Sequence, residues 1–422
     1  MAASEPSPVL KKGTRSTSVA ILLMLAQAAA FAAPPPDSGD ADAPAEPPAF
    51  TLRGFGTVGI AHSSESRADF ISTDFQKHGT GYTRSWSAEV DSRIGVQMDA
   101  ALMKNLNGVV QVVSEQQSDG SYRPRVEWAN VKYDFTPDLS ARVGRFVLSP
   151  FMASDNRKVG YSYVWVRPPV EVYTMMPMTR TNGIELLSRS RFGNATNNLE
   201  IGFGGGKDNL QQGPIKWNDG WGILDTLDYG KLSFHAAYVR TRLTIHAYDP
   251  VFDAYRLFGA AGEAIADKYD VDDKPSSLLT LGASYDPGKW FAMAEWGKIQ
   301  SDSLLGKRQA WQMTGGFRYG KVTPYLTYSR ATVQSSGTAD GLPYPQAAAL
   351  NAALNQFLFA APEQRTVSLG MRTEVSRNVA FKIQLDRSRV GSSSVGTLVN
   401  TQSDFTPGGT YHVISATLDF LF

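Results

Sequence analysis

The sequence predicts an all-β chain, a transmembrane antiparallel β-barrel of sixteen strands. Three observations predict it. Side chains alternate between apolar and polar from Phe50 to Phe422. Short and long connections follow one another in strict turn. No apolar run reaches the roughly 18–20 residues that a membrane-crossing helix needs. Composition narrows the field further. The 422 residues contain no cysteine and balance 41 basic against 40 acidic side chains. There can be no disulfide framework, thiolate metal site or cysteine nucleophile, and there is no bulk electrostatic reason to bind nucleic acid.

The first fifty residues carry an address. Lys11, Lys12 and Arg15 precede an uncharged stretch from Val19 to Ala33, and Ala30-Phe31-Ala32 has the small-x-small pattern of a signal-peptidase site. Residues 1–32 read as a secretory signal peptide cleaved after Ala32. Residues 33–49 combine proline, alanine and acids without an apolar period, so they read as a disordered leader that cannot bury enough surface to offset its ordering entropy.

From Phe50 the period is two. His412, Ile414, Ala416, Leu418, Phe420 and Phe422 alternate with Tyr411, Val413, Ser415, Thr417, Asp419 and Leu421. Val379, Phe381, Ile383 and Leu385 alternate with Ala380, Lys382, Gln384 and Asp386, and Ile94, Val96, Met98, Ala100 and Leu102 oppose Asp91, Arg93, Gln97 and Asp99. One apolar face at this period means half-buried strands. The same reading places strands near 50–62, 90–103, 108–116, 125–135, 139–148, 182–190, 196–206 and 219–228 in the first half. In the second half it places them near 231–243, 276–286, 290–300, 309–319, 322–334, 364–374, 379–390 and 411–422. Tight turns at 104–107, 136–138, 229–230, 286–289, 320–321 and 375–378 join pairs that longer loops then connect. A soluble sandwich has no reason to alternate in this way, whereas a membrane barrel has short turns on one side and long loops on the other.

If the apolar face meets lipid, the opposite face encloses the lumen. Arg93, Gln97, Asp99, Lys132, Asp134, Arg142, Glu200, His235, Glu295, Arg318, Lys382 and Asp386 then point inward. So many charges would be costly in a dry core, and a barrel of this size is wide enough to hold water. Tyr133, Phe135, Tyr285, Trp290, Trp296 and Tyr319 lie near strand ends, where interfacial girdles are expected.

The connection from Ser149 to Thr181 runs over thirty residues without a convincing period. Pro150, Pro168, Pro169 and Pro177 interrupt it, while Phe151, Tyr161, Tyr163, Trp165, Tyr173 and four methionines need a surface to pack on. Loops of that length in a compact domain are usually functional or disordered, and these aromatics argue for the first. Arg145, Phe146, Phe151-Met152, Ser154-Asp155, Arg157, Val159-Gly160-Tyr161 and the run Trp165-Val166-Arg167-Pro168-Pro169 with Glu171-Val172-Tyr173 resemble the Gram-negative outer-membrane porins of the sixteen-stranded general-diffusion type. The final Leu418, Phe420 and Phe422 resemble the signal by which outer-membrane proteins reach the barrel-assembly machinery. Leu52-Arg53-Gly54-Phe55-Gly56 is similar to a porin first strand but departs from the commoner Leu-Tyr-Gly form.

The resemblance implies a long third external loop folded into the lumen, a homotrimer, outer-membrane lipid and lipopolysaccharide as surroundings, and no cofactor. It places Asp155, Arg157, Lys158, Arg167, Glu171 and Arg180 at a constriction opposite Arg93, Arg142 and Arg145. Gln97, Asp99, Lys132, His235, Glu295, Arg318, Lys382 and Asp386 would line the pore. Two acids against four bases tilt the loop positive, which favours passive diffusion of small hydrophilic solutes with a mild anion preference. Each arginine can equally be a salt bridge that holds the loop to the wall.

Other readings remain open at this point. A substrate-specific channel would show saturable flux, a plugged adhesin barrel no conductance, and a barrel-embedded hydrolase a catalytic constellation. His62, His78, His235, His246 and His412 are scattered, and none lies in a metal-spaced pair. Gly202 to Gly206 lacks the context of a phosphate loop and reads as a relief of strand crowding or a bend in the wall. Residues 250–268 and 345–362 are alanine-rich at helical spacing, so short external helices are expected there.

Overall fold

The computed structural model describes residues 50–422 apart from 177–179, 335–338 and 340. The expected signal peptide and leader lie outside the described residues. Sixteen long strands form one sheet: β1 Phe50–Ser63, β2 Arg93–Met103, β3 Leu106–Glu115, β4 Arg125–Thr136, β5 Leu139–Phe146, β6 Thr181–Phe192, β7 Ala195–Leu210 and β8 Gly213–Tyr229 in the first half. The second half supplies β9 Leu232–Ile245, β10 Lys274–Tyr285, β11 Trp290–Ser301, β12 Lys307–Phe317, β13 Val322–Val333, β14 Gln364–Ser376, β15 Val379–Val390 and β16 Thr410–Leu421. Every neighbour is antiparallel. β1 pairs with β2 on one side (Arg53↔Gln97) and with β16 on the other (Val58↔Leu418), which closes the barrel. Closure leaves no strand edge facing lipid, where unpaired backbone groups would each cost several kcal/mol.

The outside is apolar. Ile94, Val96, Met98, Leu279, Leu281, Leu326, Leu369, Ile383, Leu385, Ile414 and Leu418 are exposed, while their strand neighbours point inward and are buried or half-buried. Aromatic pairs band both ends of this surface. Tyr133–Phe135 and Tyr285–Trp290 stand at the rim of short turns, with ring centroids 5.2 and 5.3 Å apart. Trp221–Tyr238 and Trp311–Tyr328 stand nearer the rim of long loops, at 5.4 and 5.1 Å. Two such girdles mark the interfaces of a membrane barrel.

Two helices, Asp249–Arg256 and Ala260–Tyr269, form in the 246–273 loop, and a third, Ala348–Phe359, forms in the 334–363 loop. Both expected helical loops are therefore helical. The wall also bends where the glycine stretch predicted it, because the β7–β8 register shifts between Gly204 and Gly206. There the backbones approach so closely that a Cβ on Gly204 would lie 2.4 Å from the Asn182 carbonyl oxygen. Gly204→Ala is expected to destabilise the barrel by about 1–3 kcal/mol, as overpacked sites do. Urea unfolding of the purified variant measures it, and an unchanged midpoint would refute the crowding argument.

Candidate functional site: the loop inside the barrel

The connection that begins at residue 147, described to residue 176 and again at Arg180, packs against the inward face of the wall over nearly the whole circumference. Its path is set by what its polar groups find there. Near its start, the Pro150 carbonyl accepts from His235 Nε2 at 3.1 Å and from Thr280 Oγ1 at 2.5 Å, on β9 and β10. The Met152 amide donates to Glu295 of β11 at 2.7 Å, and the Tyr173 hydroxyl donates to the same carboxylate at 2.9 Å. Trp165 Nε1 reaches Thr314 and Thr327 on β12 and β13 at 3.1 and 3.0 Å. Tyr161 donates at 2.7 Å to the carbonyl of Arg377, in the short turn after β14, so the loop descends to the opposite rim.

Two buried ion groups fasten it. Arg167 is only 3% exposed and grips Asp91 with Nε at 2.8 Å and Nη2 at 2.6 Å. It also donates to Asp386 at 3.2 Å and to Ser415 at 2.6 Å. Lys382 is fully buried, donates to the carbonyls of Gly160 at 2.6 Å and Trp165 at 2.7 Å, and stands 2.9 Å from Asp419. Glu171 accepts from Ser329 and Gln364 at 2.7 Å each, and from Thr366. Phe146, Phe151, Trp165, Val172 and Tyr173 are buried around these anchors. Each fully buried side chain of this size contributes about 1.5–3 kcal/mol, on the scale needed to offset the 1–2 kcal/mol lost per ordered backbone residue.

The expected constriction residues therefore divide. Arg167 and Glu171 act as fasteners, as do Glu295, His235, Lys382 and Asp386, which were expected to line open water. The face beneath the loop is dry because a peptide segment, not solvent, satisfies those side chains. Arg145 is a correction. Its Nε donates to Asn182 at 2.9 Å on the outward side, beside lipid-facing Val143 and Ile184. Three residues from inward Arg142, it falls on the opposite face of β5. Arg318 sits at the short-turn rim, paired with Asp286 at 2.7 Å through both guanidinium nitrogens. Gln97 and Asp99 share a hydrogen bond at 2.9 Å and Lys132 pairs with Asp134 at 3.0 Å, all partly accessible on the inward face towards the same rim.

Around the stretch from Asp155 to Lys158 the charges sort by side. On β2–β4 and β7, Lys158 pairs with Glu115, Arg125 with Asp208 at 2.9 Å, and Arg180 with Asp208 and with Glu127 at 3.5 Å. Arg93 and Arg157 stand in the same cluster without a carboxylate at ion-pair distance among the described residues: Arg93 donates to the Arg157 carbonyl at 3.2 Å, and Arg157 to the Tyr173 carbonyl at 3.2 Å. Burial pushes the Arg157 pKa down, opposed by Glu115. On the other side Asp155, Glu185 and Glu200 group around one base, Arg142, which pairs with Glu185. Above the loop, a cavity of about 440 Å³ is lined by Met175, Met176, Ile215, Tyr248 and Phe357, with Asp74 and Arg308 as its charges.

A local reading of the sequence put Asp91 and Asp419 on polar faces without their partners, and it left Glu115, Glu127 and Asp208 unnamed. All lie on or beside inward strand positions, so parity can nominate them, but not pair them.

A closed barrel with an apolar exterior, two aromatic girdles and a long loop seated on its inner wall defines a membrane channel of the β-barrel class. The chain belongs to the Gram-negative porin family, whose model matches residues 17–417, and its place is the outer membrane. The fold is similar to that of the anion-selective porin from Comamonas acidovorans, with a TM-score of 0.52 and 14% identity over 88% of this chain and 99% of that one. It is also similar to the outer membrane channel DcaP of Acinetobacter baumannii (TM-score 0.51, 11% identity, 88% of this chain and 97% of that one). OmpT of Vibrio cholerae, in trimer form, gives a TM-score of 0.50 at 11% identity over 89% of this chain and 100% of that one. At these identities the likeness is one of fold. No curated protein matches the sequence.

Proposed function

We propose that this porin is a passive pathway for small hydrophilic solutes whose waist lies along Asp155 to Lys158, with weak ion selectivity that tilts toward anions and no chemistry performed on the solute. The observation that carries it is the separation of charge just described: Arg93 and Arg157 on one flank, Asp155, Glu185 and Glu200 on the other. Opposed groups set up a field across the pathway, acting within a Debye length of about 8 Å at physiological salt. The anion tilt rests on Arg93 and Arg157, since the loop's other bases are spent in ion pairs. Reversal potentials in a KCl gradient test it, and a clear cation preference of the native protein at pH 5 would refute the tilt.

Asp74 gives the pH dependence. Burial pushes its carboxyl up to about 6, against the pull of Arg157 and Arg308. Below that pH the group is neutral, the cavity gains one unit of positive charge, and anion permeability rises relative to cation. Stability moves in the same sense: the folded-state pKa is raised, so this contribution is full below the ordinary value of 3.8 and is lost as pH rises through about 6. Asp74→Asn is expected to flatten the change in reversal potential between pH 7 and pH 5. An identical change in both proteins would exclude Asp74 as its source.

The apolar lining of the 440 Å³ cavity favours a second reading, a channel that retains an amphipathic solute. Saturation of flux by one solute would distinguish it from general diffusion. A trimer, like the form described for the Vibrio cholerae protein, is the assembly proposed here, and cross-linking in detergent tests it. The outward positions of Leu418, Phe420 and Phe422 at the β1–β16 seam support their reading as the assembly signal.

A further inference from the structure

On the outward face of β13–β15, three arginines stand side by side at the long-loop end. Arg330 is opposite Arg365 in the β13–β14 register, and Arg365 is opposite Arg389 in the β14–β15 register. They share the face of lipid-exposed Leu326, Val367, Leu369, Ile383 and Leu385, and all three are exposed. Tyr328, in contact with Trp311 at 5.1 Å, lies two residues below Arg330 on the same face, so the row sits just beyond the aromatic girdle, at headgroup depth. Among the described residues none of the three has a carboxylate at ion-pair distance, although twelve other arginines do. Like charges directly opposite on neighbouring strands destabilise a sheet, so a row of three unpaired guanidiniums calls for an external counter-ion.

A hollow of about 240 Å³ opens beside the row, lined by Arg330, Arg365, Arg389, Gly391, Ser392 and Glu363. Against the 30 Å³ or so that one water occupies in the liquid, it has room for a tetrahedral anion and its shell. Glu363 lines it without reaching an arginine. We propose that this row and hollow bind the phosphate group of a lipid headgroup in the external leaflet. Planar guanidiniums match phosphate oxygens in bidentate geometry, and their aliphatic stems lie along the apolar wall below. The membrane supplies the ligand, since this face of the barrel looks at lipid and not into the lumen. The inference rests on the outward orientation of the strands and is independent of what permeates.

The test uses the full-length protein purified in neutral detergent. Phosphomonoester-bearing lipid retained through purification is quantified by mass spectrometry for the wild type and for Arg330→Gln/Arg365→Gln/Arg389→Gln. Each arginine removed is expected to lower retention about fivefold, from the weight of one basic residue at an anionic surface. Vesicles containing a phosphomonoester lipid should raise the melting temperature of the wild type and not of the variant, and vesicles of neutral lipid should raise neither. Equal retention and equal melting shifts in both proteins would overturn the proposal. So would an equal shift from inorganic phosphate alone, which would make the site one for a free anion. If the triple variant fails to fold, Arg365→Gln and Arg365→Lys replace it, with Lys expected to retain more lipid than Gln and the reverse order refuting the site.

Discussion

Replacing Arg167 with methionine is expected to release the inner loop, raise single-channel conductance and lower stability by about 3–5 kcal/mol, the range for removing one partner of a buried ion pair. The size follows from what is left behind. Asp91 and Asp386 are both buried, and each holds Arg167 through bonds of 2.6 to 3.2 Å. Without the guanidinium, two carboxylates face each other in a dry place and must either gain water, which opens the loop, or gain protons. Arg167→Lys keeps the charge and loses the fork that spans Asp91, so an intermediate effect is expected. Combining Arg167→Met with Asp91→Asn and Asp386→Asn should recover much of the stability without restoring the narrow state. Melting in detergent and bilayer recordings read the two consequences separately. Unchanged values in both would mean that the loop is held by its apolar contacts alone.

Arg93→Gln combined with Arg157→Gln is expected to turn the weak anion tilt into cation preference. Among the described residues neither arginine is in a carboxylate pair, so their removal leaves the ion pairs that fasten the loop intact and costs only their bonds to the Arg157 and Tyr173 carbonyls. What remains on that flank is Arg125, Lys158 and Arg180 matched against Glu115, Glu127 and Asp208. The opposite flank keeps Asp155, Glu185 and Glu200 against Arg142 alone. The sign of the reversal potential in a KCl gradient should therefore change, with a smaller effect at high salt because screening shortens the range of the field. A sign that stays the same would place the selective field elsewhere in the lumen.

The wall is legible in the sequence because lipid enforces it. Alternation over 290–300 and 379–390 matches Trp290–Ser301 and Val379–Val390 almost to the residue. Where the match slips, a local cause is visible. β8 begins at Gly213, ahead of the expected 219, because the register shifts between Asn218 and Trp221 and breaks the alternation. β2 starts at Arg93, after Asp91 has turned to meet Arg167.

The interior is legible only as residue types. Arg167 finds Asp91 and Asp386 at separations of 76 and 219 residues, which no local period encodes. For the same reason its role as a fastener and the role of Arg157 as a free charge look alike in sequence. Arg145 differs: its outward direction follows from counting three positions from Arg142, and the loop's resemblance to other porins obscured a parity that the strand already stated.

The seat of Gly160 has a temporal meaning. A Cβ there would lie 2.2 Å from Asp419 and 2.5 Å from Thr57, so the backbone of the loop rests directly on β16 and β1, with Lys382 clasping its carbonyl from β15. In chain order those two strands are the first and last of the sixteen, so the other fourteen are synthesised between them. Until they meet, the seat beneath Gly160 does not exist. Narrowing of the passage is thus a late act of biogenesis, and a cylinder still unzipped along that line has no place to lodge its own stopper.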